Sequence, residues 1–415
     1  MTTKVSRPIA VDLFAGAGGL SLGFEQAGFD VVAAVEIDPI HCATHLYNFP
    51  STSVLCASVA DVTGEQIRKA ANLDIQTEID AVVGGAPCQG FSLIGKRSFD
   101  DPRNTLVMHF IRIVKELNPK YFVFENVKGL TVGKHKKFLE EIVNELSNTG
   151  YKITLPYKVL NAKDYGVPQS RERLFLVGSR ADQNQFNYPE ATQPSVTVKD
   201  AIFDLPNANK YKTLVNSDSV KTNWVSVSRY SKVLRGIQQD PHDYSHPRSW
   251  DKSLLTSSTR TEHSPASVKR FKETKNGAVE PISRFLKLDP NGVCNTLRAG
   301  TDSSRGAFTS PRPINPFFNR VLTVREAARL HSYPDWFRFH RTKWHGFRQV
   351  GNSVPPLLAR AIGNSVMKAL EITPTRPHVP INVGEARLLA LDMAKAAEMF
   401  SVDRKVIAQR ERKNV

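Results

Sequence analysis

The sequence predicts an α/β protein in which a parallel sheet of βαβ units is followed by a smaller, loop-rich domain. Short apolar, β-rich runs alternate with helical patterns through the first 180 residues, which is the order of a parallel sheet. A glycine-rich turn follows the first run directly, and the regular pattern dissolves from about Asp182 to Pro290 into polar, Ser- and Thr-rich sequence with scattered prolines. At 415 residues and 40% hydrophobic content, the chain can bury a substantial core over about two or three domains.

The expected strands are Ile9 to Phe14, Val31 to Val35, Ala81 to Val83, Tyr121 to Phe124 and Leu174 to Val177. Helical spacing between Asn104 and Leu117, and between Lys136 and Leu146 with Gly150 as a stop, supplies crossover helices. Periodicity returns at Val324 to Leu330 and Pro356 to Leu370, then a Pro-rich stretch, Thr373 to Pro380, leads to a last candidate helix from Gly384 to Met399. The expected division is 1–180 for a first domain, 181–345 for a recognition domain, 346–372 for a segment returning to the first domain, and 373–415 for a tail of open role.

No apolar run approaches the roughly 18 residues that a membrane span needs, and Met1 to Pro8 holds no signal-peptide core. A cytoplasmic protein is expected. Cys42, Cys56, Cys88 and Cys294 are too sparse for a disulfide scaffold and show no Cys-x-x-Cys spacing, so reduced thiols and no metal are expected. The net charge of +16 favours a polyanionic partner without choosing DNA, RNA or membrane. From Asn291 to Arg360, 11 Lys or Arg stand against 3 Asp or Glu, interleaved with Phe317, Phe318, Trp336, Phe337 and Trp344. That reads as a nucleic-acid surface; a solvated basic face with core aromatics is the alternative.

Two groups carry candidate chemistry. Cys88, in Pro87-Cys88-Gln89, and Glu125, in Glu125-Asn126-Val127, each follow a buried-strand pattern, and the carboxyl ends of parallel strands are where open α/β sheets hold ligands. The run from Val11 to Gly19 brings a strand into glycines that let a cofactor approach the backbone, and Glu36 closes the next strand. This fits a dinucleotide or an adenosine-bearing methyl donor; Ser21, in place of a third fingerprint glycine, lowers the former.

In order, the glycine loop, Pro87-Cys88-Gln89-Gly90-Phe91-Ser92, Glu125-Asn126-Val127, Gln169-Ser170-Arg171-Glu172-Arg173, Arg325-Glu326-Ala327-Ala328-Arg329-Leu330 and Gln349-Val350-Gly351-Asn352-Ser353-Val354-Pro355 resemble the cytosine-5 DNA methyltransferase family of bacterial restriction-modification systems. The resemblance implies a Rossmann-like S-adenosylmethionine-dependent domain with a loop-rich target recognition domain. It implies Cys88 as the nucleophile that adds to cytosine carbon-6, Glu125 as the acid at the ring nitrogen, and Arg171 and Arg173 holding the base. It places S-adenosyl-L-methionine against Phe14, Gly16, Ala17, Gly19 and Pro87, with Glu36 at the ribose, Asp61 and Val62 at the adenine, and Asn352, Ser353 and Val354 closing the pocket.

A double-stranded DNA substrate then requires a flipped cytosine, since the target carbon is unreachable inside a duplex; Ser92 to Asn104, following Cys88, reads as a closing loop or equally as an ordinary exposed loop, and a monomer paired with a restriction endonuclease is expected. His331-Ser332 departs from the family's usual Gln-Gly, and His331 reads as packed or exposed rather than catalytic. An RNA methyltransferase on the same scaffold and a catalytically silent DNA-binding regulator remain the competing readings.

Overall fold

The structure is a computed structural model that describes residues 7–87, 105–133, 135–192, 196–225, 228–300 and 312–407. Its main sheet holds β1 (Ile9–Leu13), β2 (Asp30–Glu36), β3 (Ser53–Cys56), β4 (Ala81–Gly84), β5 (Tyr121–Val127), β6 (Tyr151–Ile153), β7 (Lys158–Asn161) and β8 (Glu172–Arg180). The order is β3-β2-β1-β4-β5-β8-β6, with β7 also paired to β8. β1 to β5 pair in parallel, and the order reverses between β1 and β4, the switch point at which such sheets open a crevice.

The expectation of an all-parallel sheet needs correction, because β8 runs antiparallel to β5, β6 and β7. After Gly150, held at φ +90°, the chain returns through two short strands instead of a crossover helix, so β8 enters from the opposite end. Its Leu174 to Val177 segment is wholly buried, and a strand covered on both faces carries no mark of its direction. β3 went unpredicted: its four residues are all half-buried, too few for alternation to register.

Helices α1 (Gly19–Ala27), α2 (Pro39–Asn48), α3 (Gly64–Ala70), α4 (Thr105–Leu117) and α5 (His135–Ser147) connect these strands. Local signals set their ends. Asp38 caps α2 with Pro39 in its first turn, and Thr63 with Gln66 forms a capping box on α3. On one sheet face Val107, Phe110 and Ile113 of α4 join Phe138, Leu139 and Ile142 of α5 over Val11, Leu13 and Val82.

The middle of the chain supplies α6 (Val198–Ile202), α7 (Arg229–Leu234), α8 (Pro265–Glu273) and two-residue pairs, β9 (Val220–Lys221) with β11 (Leu254–Leu255) and β10 (Arg248–Ser249) with β12 (Ile381–Asn382). Then come α9 (Val324–Leu330), α10 (Lys343–Asn352), α11 (Pro356–Ala369) and α12 (Met393–Met399). α11 lies on α1, where Leu358, Ile362 and Val366 pack with Leu20 and Phe24. A Cβ at Gly23 would meet Ala359 Cβ and sit 2.6 Å from the Pro356 carbonyl, and one at Gly363 would sit 2.7 Å from Ala27 Cβ. Glycine at both positions lets the helices touch along their backbones. The single helix expected over Gly384 to Met399 is a 3₁₀ turn (Ala386–Ala390) followed by α12, because Asp392 caps the backbone N–H of Lys395 and starts a new helix.

The basic stretch from Asn291 to Arg360, expected as a surface, is in part interior. Arg320, Arg325 and Arg329 are buried to within 1% exposure. Arg320 pairs with Glu326, Arg329 with Asp204 and Asp335, Arg338 with Asp218, and Arg360 with Asp240. Phe337 lies in the core with Tyr333 and Phe339, and Phe317 and Trp336 pack against it. The three buried arginines hold the fold together from within, and Arg338 and Arg360, half-buried, are engaged by carboxylates. Among the described residues no helix is long and apolar enough to cross a membrane.

Candidate active site

At the end of β1 the backbone bends sharply. Phe14 takes φ +59°, an uncommon state for a residue with a side chain, followed by Gly16 at +56° and Gly18 at +100°. A Cβ placed on Gly16 would meet nothing within 4 Å, so the turn faces open space. Glu36, at the end of β2, accepts the Gly16 N–H at 2.9 Å with one oxygen and the Asp38 N–H at 2.9 Å with the other. A carboxylate accepts about four such bonds, so capacity remains for hydroxyl donors.

Gly19 marks where the C-terminal segment arrives. A Cβ there would lie 2.6 Å from Val354 O and 2.8 Å from both Ser353 Cβ and the Tyr333 hydroxyl. Val354 is buried and Ser353 half-buried, both beside the glycine turn, and Asn352 is exposed. Ala17 is buried and Pro87 exposed. Asp61 is exposed after a turn in which its N–H reaches Ser58 O, while Val62 is buried and its carbonyl receives Arg112.

The second half of the crevice lies at the ends of β4 and β5. Glu125 is 8% exposed, and a Cβ on Gly85 would come 2.5 Å from its Oε2; glycine at the exit of β4 is what lets the carboxyl fit. Asn126 donates to Ala86 O at 3.0 Å and ties the two strand ends together. Arg173 Nε, on β8, lies 2.8 Å from Glu125 Oε1. Burial nonetheless raises the Glu125 carboxyl above its ordinary range, outweighing the opposing pull of Arg173 and Arg171. Cys88 and the Ser92–Asn104 segment lie outside the described residues.

Arg171 is fully buried and reaches elsewhere. Its Nη1 donates to Leu297 O at 2.8 Å, and Nη2 to Gly351 O at 2.7 Å and Ser353 O at 2.9 Å. Gln169 extends this fastening: its oxygen accepts the Leu297 N–H at 3.0 Å, and its amide nitrogen donates to Leu330 O and to His331 Nδ1 at 2.9 Å. His331 Nε2 lies 3.1 Å from Ser353 O, so that nitrogen carries the proton. Burial, aided by the Arg171 charge, holds His331 well below its ordinary pKa and neutral. It is a packed residue, buried between Gln169 and the turn at Ser353. Glu172 pairs outward with Lys128 at 2.9 Å.

Reading the sequence missed a further polar group, Asp12, Ser21 and His45, all buried within apolar surroundings. The signal was present: an aspartate between Val11 and Leu13 in a strand otherwise apolar is a residue that a buried sheet does not hold without purpose.

The chain from residue 9 to 368 matches the family described as C-5 cytosine-specific DNA methylase. Among curated proteins it is 58% identical over 408 residues to Type II methyltransferase M.XorII of Xanthomonas oryzae, covering 98% of this chain and 96% of that one. It is 37% identical to Type II methyltransferase M1.HphI of Haemophilus parahaemolyticus, covering 86% of each. Among solved structures, a prophage-encoded DNA modification methyltransferase of E. coli superposes with TM-score 0.73 at 35% identity, over 88% of this chain and 99% of that one. The S. pombe Dnmt2 methyltransferase shares the fold, with TM-score 0.53 at 16% identity over 88% of this chain and all of that one.

Proposed function

We propose, from the fact that this chain belongs to the C-5 cytosine-specific DNA methylase family, that it methylates cytosine within a specific double-stranded DNA sequence through a covalent bond from Cys88. The enzyme class is that of a DNA cytosine-5 methyltransferase. Its relatives are Type II methyltransferases, which supports a modification role, paired in our reading with a restriction endonuclease of the same specificity.

The observation that carries the mechanism is the buried carboxyl of Glu125, raised above its ordinary range at the strand end beside the one that runs into Cys88. A flipped cytosine is too poor a nucleophile at carbon-5 to react unaided. In the proposed step the Cys88 thiolate forms a bond to carbon-6 while protonated Glu125 gives its proton to the ring nitrogen, leaving an electron-rich carbon-5. Arg173 orients Glu125 through its 2.8 Å contact and takes up the carboxylate charge once the proton has left. S-adenosylmethionine, when bound, supplies the electrophilic methyl group. Water removes the carbon-5 proton, and the Cys88 bond then breaks to release the thiolate.

The donor's fit rests on the open turn at Gly16, the unspent acceptors of Glu36 and the left-handed Phe14 backbone. Bisulfite sequencing of unmethylated DNA incubated with the enzyme and donor is the test. Protection confined to one short recurring sequence, and lost with Cys88→Ser, is expected; no protection although the donor binds would overturn the assignment.

A further inference from the structure

We propose that Asp12 is a charge-selecting residue of the donor pocket, one whose buried carboxylate favours the cationic sulfonium donor over the neutral thioether left after methyl transfer. The inference rests on the reading of the sheet end as an S-adenosylmethionine site. Asp12 is the penultimate residue of β1, two positions before the left-handed Phe14, and has no exposure to solvent. Its Oδ2 accepts from Ser21 Oγ on α1 at 2.6 Å, and Ser21 Oγ lies 3.0 Å from His45 Nε2 on α2. Its Oδ1 has no partner, and neither has the Tyr333 hydroxyl, which lies against Gly19 of the same turn.

A serine hydroxyl has one proton. When Ser21 gives it to Asp12, its oxygen accepts from His45 Nε2–H, and both donors in the chain point toward the carboxylate. Such an ordered pair stabilises an ionised Asp12. Burial pulls the other way and pushes its carboxyl up to about 7, with the Glu36 charge acting in the same sense and Ser21 opposing it. Burial also pushes His45 down to about 3, so its ring is neutral. The titratable groups facing Asp12 are therefore Glu36 from β2, His45 from α2 and Tyr333 from the turn after α9, whose phenol senses the Asp12 charge. None of these is a cation. When ionised, Asp12 thus holds a charge that neither Ser21 nor His45 neutralises, two residues before the turn whose proposed ligand loses one positive charge on reacting.

Through an effective dielectric near 20, a unit charge within roughly 10 Å of a sulfonium alters relative affinity by about tenfold or more. The test is calorimetric titration of the full chain with S-adenosylmethionine and with S-adenosylhomocysteine between about pH 6 and pH 8, which brackets the titration of a carboxyl perturbed in this way. The wild-type preference for the donor should grow about fivefold to tenfold across that span. In Asp12→Asn it should stay flat, apart from the change caused by the ligands' own amino groups, which the two proteins share. Ser21→Ala removes a donor to the carboxylate and should move the rise to higher pH, which decides the matter should Asp12→Asn fail to fold. Parallel pH dependence in wild type and Asp12→Asn, or an unmoved midpoint in Ser21→Ala, would overturn the proposal. If wild type binds neither ligand, the donor reading falls and this inference with it; if both bind without a pH-dependent ratio, this inference alone falls.

Discussion

Arg171→Lys separates two roles that sequence resemblance merges. The guanidinium makes hydrogen bonds of 2.8, 2.7 and 2.9 Å to the carbonyls of Leu297, Gly351 and Ser353, joining the entry to β8 to Leu297 and to the turn after α10. A lysine nitrogen on that stem reaches one of the three, and not in the same plane. Each lost charge-assisted bond is worth roughly 1.5–3 kcal/mol, so two lost bonds amount to a destabilisation of about 3–6 kcal/mol. That is a large share of the roughly 5–15 kcal/mol that keeps a domain folded. Urea unfolding followed by tryptophan fluorescence is a suitable assay, because Trp224, Trp250, Trp336 and Trp344 all lie in the part of the chain that Arg171 fastens. The midpoint should fall sharply, and donor affinity with it. A variant within about 1 kcal/mol of wild type, the change of an ordinary surface substitution, that had lost only the covalent step would refute the fastening role and return Arg171 to the base.

Glu125→Gln should slow addition to cytosine by at least about 10²-fold, and the pH profile should identify the proton. Because burial raises the Glu125 pKa, loss of its proton gives the wild-type rate a limb that falls as pH rises through that value; the Gln variant should lack that limb, and a shared limb would assign the titration elsewhere. Gly85→Ala should push the Glu125 carboxyl aside, since the new methyl would sit 2.5 Å from its oxygen. Single-turnover kinetics should show a loss of tenfold or more, on the order of one misplaced proton donor, with unchanged donor binding; equal activity would mean that the carboxyl is free to move. Gly23→Ala crowds the Pro356 carbonyl and Ala359 and should cost about 1–3 kcal/mol in thermal unfolding, where an unshifted transition would count against close helix packing.

The parts of this architecture that the sequence discloses are those with a strong period or a stereotyped turn. β1 with its glycines, α4, α9 and α11 fall within a residue or two of their expected bounds, because their apolar spacing admits one geometry. The antiparallel return through β6 and β7 was hidden because strand direction leaves no trace in a strand buried on both faces. Arg320, Arg325 and Arg329 were misread because a count of charges says nothing of burial, and the carboxylates that pair with them, Glu326 at Arg320, Asp335 at Arg325, and Asp204 and Asp335 at Arg329, are few and partly distant in sequence. Glu125 and Arg173 are brought together by the β5–β8 pairing, whereas the work of Arg171 and Gln169 emerges only from the folded chain.

The hold of Arg171 on the closing turn spans 180 residues of chain, and α1 meets its partner α11 only after most of the sequence has been made. Long-range contacts of this kind are slow to form and cannot be anticipated by local folding. At about 5–20 residues per second of synthesis, β8 waits roughly ten seconds or longer for the segment that completes it. Chains released after residue 345 should retain no donor, and one that did would disprove this dependence. The two sides of the crevice, drawn from opposite ends of the sequence, therefore come together in one late step.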